Sequence, residues 1–343
     1  MTSSTEPAAP ARAGAAEEAP APPASAGEAP PGAVSKRGVP ASPDAPAAPS
    51  RLSLLSAFAA VYVIWGSTYL AIRFAIGSMP PFLMAAVRFL IAGGILYLWA
   101  RRRGHPPPRA VEWRSAAVVG GLLLFCGNGA VVWAELRIDS GLAALLVATV
   151  PLWVVAIDAF RPGGTAPRWT VWAGVAGGLA GLALLIGPAE LAGAERADLG
   201  GILAVLGGSL AWSVGSLYSR TAPLPRSPRL GTGMEMLAGG VLLAVLSLAL
   251  GEPASFDLGA VTAASWLALA YLIVFGALVA YSAYVWLLRV APASKVATYA
   301  YVNPVVALVL GWALAGEELT ARTLLAAAVI LASVFLIVSS RRR

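Results

Sequence analysis

Apolar residues dominate this chain from Leu52 to Ser339, in ten stretches of roughly 20 that end at short polar or basic loops. About 20 apolar residues form a helix that crosses a hydrocarbon core of roughly 30 Å. The pattern predicts transmembrane helices over 52–73, 81–100, 115–135, 140–160, 169–187, 199–219, 231–250, 262–287, 294–315 and 321–339. The fold class that follows is all-α and integral to the membrane, with ten helices. No loop between spans exceeds about 15 residues, so no soluble catalytic domain fits between them.

Charge adds an orientation. Only 12% of the residues are charged and 58% are hydrophobic, whereas an ordinary soluble domain is roughly 25% charged. The net charge of +7 does not mark a nucleic-acid surface, because the basic residues sit at span ends and form no face. With the N-terminus in the cytoplasm, sixteen Lys and Arg fall on the cytoplasmic side. Four (Arg73, Arg137, Arg196 and Arg322) fall on the other. The positive-inside rule then predicts a multi-pass protein with both termini cytoplasmic.

The first 50 residues are a different material, with 16 Ala, 11 Pro, scattered Glu and no apolar periodicity. Such a segment cannot bury enough surface to offset its ordering entropy. Residues 1–51 are therefore expected to be a disordered cytoplasmic tail, read as a passive extension with regulation as the alternative. The tail lacks the basic start and apolar run of a signal peptide. Cys126 is the only cysteine and His105 the only histidine, so neither a disulfide nor a metal-ligand spacing is present. No cofactor is expected.

The chain repeats itself. Trp65-Gly66-Ser67-Thr68-Tyr69 in the first span has a counterpart in the sixth, where Trp212 precedes Gly215-Ser216-Leu217-Tyr218. Ala92-Gly93-Gly94 recurs as Ala238-Gly239-Gly240. Trp133 and Arg137 precede Pro151 as Trp286 and Arg289 precede Pro304. These spacings divide the chain into five-helix halves, 52–187 and 199–340. Five is odd, so the second half enters the membrane from the opposite face. Inverted repeats of this kind are a route to alternating access, with the substrate near the midplane between the halves.

Several runs resemble the EamA-type drug/metabolite transporters. They are Ile64-Trp65-Gly66-Ser67-Thr68-Tyr69, Val87-Arg88-Phe89-Leu90-Ile91-Ala92-Gly93, and Gly127-Asn128-Gly129 followed by Trp133-Ala134-Glu135. Ser140-Gly141-Leu142, the block Ala297-Thr298-Tyr299-Ala300-Tyr301-Val302-Asn303-Pro304, and Gly316-Glu317-Glu318-Leu319-Thr320 extend the match. The resemblance covers about residues 52–340 and is nearest the YedA-like subgroup. It implies ten helices in two EamA repeats and export of small metabolites, amino acids or toxic compounds through the inner membrane. Asp139 departs from the pattern, which has Pro before Ser-Gly-Leu.

Ionisable groups at bilayer depth are costly, so each needs a reason. Glu135 lies near the outer end of the third span, seven residues after Asn128 and so on the same helix face. It is the candidate proton-coupling carboxylate; the alternative is an interfacial Glu capped by Arg137 or water. Candidate pathway residues are Trp65, Ser67 and Tyr69 on the first span and Asn128 and Trp133 on the third. The second half contributes Trp212, Ser216, Tyr284, Tyr299 and Asn303. The competing reading of the first-span stripe is helix packing, with Gly66 allowing close approach. Pro151 and Pro304 are candidate hinges or helix breaks, because proline frees a carbonyl inside a helix. Arg88 and Glu235 lie in opposite membrane halves, so each is expected to face its own vestibule or a local partner. Asp158 is expected to pair with Arg161, and Gly174, Gly177, Gly178 and Gly181 to form a packing surface on the fifth helix.

These readings converge on a secondary exporter working on a small molecule in the lipid bilayer, as a monomer or homodimer, without nucleic acid. No nucleotide-binding motif is present, so a proton or solute gradient must drive it. The alternative within transport is a facilitator or importer of an amino acid or sugar derivative. An integral-membrane enzyme is the distant alternative, since it needs clustered carboxylates or a nucleophile–base pair that the spans lack. A channel is disfavoured by the repeat and by the lack of a filter motif.

Overall fold

The computed structural model describes residues 49–138, 143, 146–160, 167–186, 198–306 and 320–339. The tail as far as residue 48, the Ser140-Gly141-Leu142 run, Arg161, Arg196, Glu317-Glu318 and the C-terminal arginines lie outside them. All regular structure among the described residues is helical.

In the first half, α1 spans Arg51–Ile76 and α2 Pro81–Arg102. α3 spans Ala110–Ala134, α4 Val150–Phe160 and α5 Trp169–Ile186. In the second half, α6 is Leu199–Ser219, α7 Pro228–Ala249 and α8 Ala263–Val290. α9 begins as Ala293–Val296 and resumes over 299–306, and α10 is Ala321–Ser339. Six of these (α1, α2, α3, α6, α7 and α8) are long and apolar enough to cross a membrane. Their outward faces carry exposed large apolar side chains such as Leu70, Phe74, Ile95, Leu203 and Leu248. Water would penalise such a belt and lipid tails do not.

Caps fix the helix starts. Ser50 accepts from the Ser53 N–H, Asp198 from Gly201 and Ser227 from Leu230, satisfying donors that a first turn leaves open. Glu112 accepts from the Arg109 N–H at 2.7 Å, which lets α3 begin a turn before its apolar run. Proline at the start of α2 leaves no local side-chain cap. The cap comes from across the molecule: Gly251, at φ 72°, turns the chain out of α7, and Glu252 accepts from the Phe82 and Leu83 N–H groups at 3.2 and 2.7 Å.

Two features depart from plain α-helix. The middle of α3, Gly121–Asn128, and the middle of α8, Leu272–Tyr281, are π-helical. Each is the third helix of its half. The breaks in α4 and α9 also match each other. Both fall in a Val-Ala-Thr run, at Ala148–Thr149 and Ala297–Thr298. In each, the threonine hydroxyl donates at 2.6 Å to a carbonyl three residues back, Leu146 or Lys295. The prolines are not the breaks. Pro151 sits in the first turn after one, where its missing N–H costs nothing. Pro304 lies within continuous helix well beyond the other.

The helices pair as α1 with α8, α6 with α3, α2 with α7 and α5 with α10. α6 also packs on α4, and α1 meets α9 at Gly66, where an added Cβ would lie 2.8 Å from Val306. Glycine sets several crossings. Gly174 and Gly181 on α5 lie against Ile337 and Ile330 of α10, Gly177 against Ser333, and Gly178 against the Tyr301 ring.

Candidate functional site

α1, α2, α3, α6, α8 and α9 surround a cavity whose empty space, mouth included, is about 680 Å³. On α1 its lining runs from Trp65 to Ile72, so it occupies the half of the bundle toward the Ile76 end of that helix. Trp65, Trp212, Tyr281 and Tyr299 give it aromatic walls, and Asn128 and Asn303 give it amides. Arg88 is the one charged side chain among its described lining residues.

The floor is a cluster of rings. Trp65 meets Trp212 edge-on at 5.6 Å between centroids, Tyr284 at 5.0 Å and Tyr299 at 4.9 Å. Such pairs contribute about 0.5–1.5 kcal/mol each beyond their burial. Buried indoles also need acceptors. Trp65 Nε1 donates to the Gly276 carbonyl at 3.2 Å, within the π-helical part of α8. Trp212 Nε1 donates to the Tyr284 hydroxyl at 2.7 Å, which also shares a hydrogen bond of 2.6 Å with Ser216. Toward the Arg51 end of α1, the Tyr62 and Thr298 hydroxyls join at 2.6 Å. The path is thus filled on one side of the cluster and hollow on the other.

The repeated tryptophans, 65 and 212, meet at this floor. Gly127 makes the approach possible, because a Cβ there would lie 2.7 Å from the Trp212 ring. Tyr69, Asn128, Tyr299 and Asn303 also line the cavity. Turned so that its nitrogen faces them, the Asn303 amide donates to the Tyr299 and Tyr62 carbonyls at 3.0 and 3.1 Å. Asn128 Oδ1 has no partner among the described residues. Other expected pathway residues lie elsewhere. Ser67 turns to Tyr271, hydroxyl to hydroxyl at 2.5 Å, and to the Ile64 carbonyl at 2.7 Å. Ser216 and Tyr284 stand behind the wall as supports of Trp212. Trp133 sits beneath the Arg137 guanidinium, 4.2 Å from ring to carbon, at the end of α3.

The charges are distributed differently from expectation. Arg137 does not cap Glu135; it pairs with Asp198 at 2.9 Å and holds the start of α6. The cation that faces Glu135 is Arg73, with Tyr69 as its neighbour toward the cavity. Glu135 Oε1 has no hydrogen-bond partner among the described residues. Glu135 is not among the cavity's lining residues, but its charge acts on Tyr69, which is. Glu235 is fully buried, accepts from the Tyr281 hydroxyl at 3.2 Å and has Arg289 as its cation. No ion pair joins it to Arg88 among the described residues, in keeping with their separate depths.

Sequence reasoning did not place Tyr281, Gly276 or Thr68 in the site. No motif flags Tyr281 or Gly276, and Thr68 lies within the first-span motif between the Ser67 and Tyr69 singled out there. Their position depends on the π-helical phase of α8 and on the face of α1 that Gly66 presses against α9.

Comparison with known proteins agrees with this architecture. The EamA-like transporter family model matches twice, over residues 52–187 and 199–339. The "Uncharacterized inner membrane transporter YedA" of Escherichia coli (strain K12) is 42% identical over 83% of this chain and 90% of its own length. The "Probable amino-acid metabolite efflux pump" of Salmonella typhimurium is 25% identical over 80% of this chain and 91% of its own. A solved protein structure shares the fold, with a TM-score of 0.66 at 24% identity over 83% of this chain and 97% of that one. With a family match across nearly all of its apolar length and helices built to span lipid, the chain is a multi-pass membrane protein and belongs to the EamA-like transporter family.

Proposed function

We propose that this protein is a secondary-active exporter of small metabolites, amino acids or toxic compounds across the inner membrane, working by alternating access. Its ten helices form two inverted five-helix repeats, 52–187 and 199–340, with both termini in the cytoplasm. The observation that carries the proposal is the cavity closed on one side by Trp65 and Trp212, residues from corresponding motifs of the two halves. The helix pairing supports the repeat: exchanging each helix for the one five places along turns α1–α8 into α6–α3 and leaves α2–α7 and α5–α10 unchanged. So do the matching π-helical segments and Val-Ala-Thr breaks. In this reading the tryptophan cluster is the gate that opens when the hollow side closes. The name of the Salmonella relative fits export, and the two family matches fit the domain limits.

Glu135 is the proposed coupling group. Its neighbour Tyr69 lines the cavity, so a change in the charge of Glu135 is felt at the wall. Proteoliposomes with an internal pH-sensitive dye and a panel of amino acids, drugs and sugars outside test both parts. Solute-dependent proton movement is expected, and Glu135→Gln should abolish it while leaving the protein folded. Tracer movement with a silent dye makes the protein a facilitator and removes the coupling role from Glu135. An unchanged pH dependence in the variant does the same.

A further inference from the structure

Arg88 is a buried cation with no anionic partner among the described residues. It is 4% exposed, lines the cavity, and forms no ion pair among the described residues. Among the described residues its Nε has no hydrogen-bond partner, and the Phe89 ring lies 4.7 Å from the guanidinium carbon. Neither Glu135 nor Glu235 pairs with it: the cation acting on Glu135 is Arg73, and Glu235 accepts from Tyr281 and feels Arg289. A desolvated charge of this kind is strongly unfavourable unless something neutralises it.

The surroundings accommodate the guanidinium rather than satisfy it. At Gly276 a Cβ would stand 2.9 Å from Arg88 Nη2 and 3.3 Å from the Thr68 methyl group, so glycine there leaves the space that the guanidinium uses. Across the hollow stand the aromatic walls. The cavity thus offers one fixed positive charge, no negative charge among its described lining, and an apolar aromatic body.

From this geometry we propose that Arg88 binds the carboxylate of the transported solute, and that the solute is an organic monocarboxylate with an apolar or aromatic body and no cationic group. The inference rests on the transport reading above and names the substrate class of the same cavity. One guanidinium matches one carboxylate, bidentately and with two charge-assisted hydrogen bonds. A phosphate monoester, with a charge near −2, would leave charge unmatched.

The test is acid against amide on the purified full-length protein in detergent, read as thermal stabilisation. The probe pairs are 3-phenylpropionate with 3-phenylpropionamide and indole-3-acetate with indole-3-acetamide. The acid of at least one pair is expected to stabilise the native protein, with its amide about tenfold weaker or worse, a difference of roughly 1.4 kcal/mol. Arg88→Gln should erase the preference and Arg88→Lys should keep part of it. The native comparison needs no variant, so it stands even if Arg88→Gln fails to fold. Amides binding as well as acids, no acid binding at millimolar concentration, or acid preference surviving in Arg88→Gln each overturns the proposal. Stabilisation by sodium chloride equal to that by the acids assigns Arg88 to an inorganic anion and also overturns it. Binding needs no gradient. Acid-selective binding without proteoliposome transport therefore sinks the transport reading alone, and transport without acid selectivity sinks this inference alone.

Discussion

The α2–α7 crossing gives the sharpest prediction, because two adjacent glycines sit in opposite surroundings. A Cβ added at Gly93 would lie 2.8 Å from both the Leu237 nitrogen and the Met236 Cβ, and 2.9 Å from the Gly233 carbonyl oxygen. Ordinary contact begins at 3.4 Å, and two of these three atoms are backbone. They can yield only if the helices part. Overpacking of this kind costs about 1–3 kcal/mol. At Gly94 nothing lies within 4 Å of the added atom, so alanine there should gain about 0.5–1 kcal/mol of helix stability. The helix gain is common to both positions, so the two neighbours should differ by roughly the overpacking cost, about 1–3 kcal/mol, enough to separate their melting temperatures by several degrees. Unfolding can be followed with a thiol-reactive dye, since Cys126 is the only cysteine and lies in α3, which packs on α7. Gly233 shares the gap, with its own Cβ meeting the Tyr97 nitrogen at 2.8 Å. The Gly93→Ala/Gly233→Ala pair should therefore cost less than the sum of the single variants, because the helices part only once. Gly93→Ala melting at or above Gly94→Ala would refute the close-crossing argument.

The aromatic floor makes its own demand. Tyr284→Phe removes the acceptor of the buried Trp212 indole and should cost about 1–3 kcal/mol, seen as a lower melting temperature, while Tyr218→Phe, half-exposed and outside the cluster, should melt like the parent. Glu252→Ala removes the only side-chain cap on α2 and should cost about 1 kcal/mol, with faster amide exchange confined to Phe82 and Leu83; unchanged exchange there would remove Glu252 from that role. At the start of α6, the Gly201 N–H and then Arg137 hold the Asp198 carboxyl below its ordinary value. Its stabilising contribution is therefore complete above the usual aspartate range and is lost as pH falls through the depressed value. Amide exchange in the first turn of α6 should rise over that acid window in the parent and lose this dependence in Asp198→Asn.

What the sequence made legible divides along a physical line. Features set by local composition were readable. Apolar length and loop charge placed nearly every described helix within a few residues, and the Trp-Gly-Ser and Gly-Ser duplications pointed to Trp65 and Trp212 before any geometry was known. Features set by phase were not. The π-helical stretches of α3 and α8 widen the helix by one residue per turn, and neither Gly121–Asn128 nor Leu272–Tyr281 announces that in its residues. Counting in steps of three and four therefore puts the faces of α8 out of register, which is why Tyr281 and Gly276 escaped notice. The same limit governs Ser67. It shares a motif with Trp65, but two residues along a helix turn a side chain by about 200°, so it meets Tyr271 rather than the cavity. Proline misled for a related reason. The breaks fall in the Val-Ala-Thr runs upstream of Pro151 and Pro304, where each threonine hydroxyl bonds a carbonyl three residues back, a bond that Thr68 also makes inside unbroken α1. Pro304 removes the helical donor of the Ala300 carbonyl, and beside it the Asn303 amide donates to the Tyr299 and Tyr62 carbonyls and fastens α9 to α1. The charged groups show the remaining gap between motif and site: Arg137 or water is the alternative cap for Glu135 in the sequence, whereas the cation acting on Glu135 is Arg73 on another helix and Asp198 takes Arg137. Sequence proximity is a poor guide to charge pairing here: Arg137 and Asp198 pair across 61 residues, and Arg73 acts on Glu135 from a different helix of the same half.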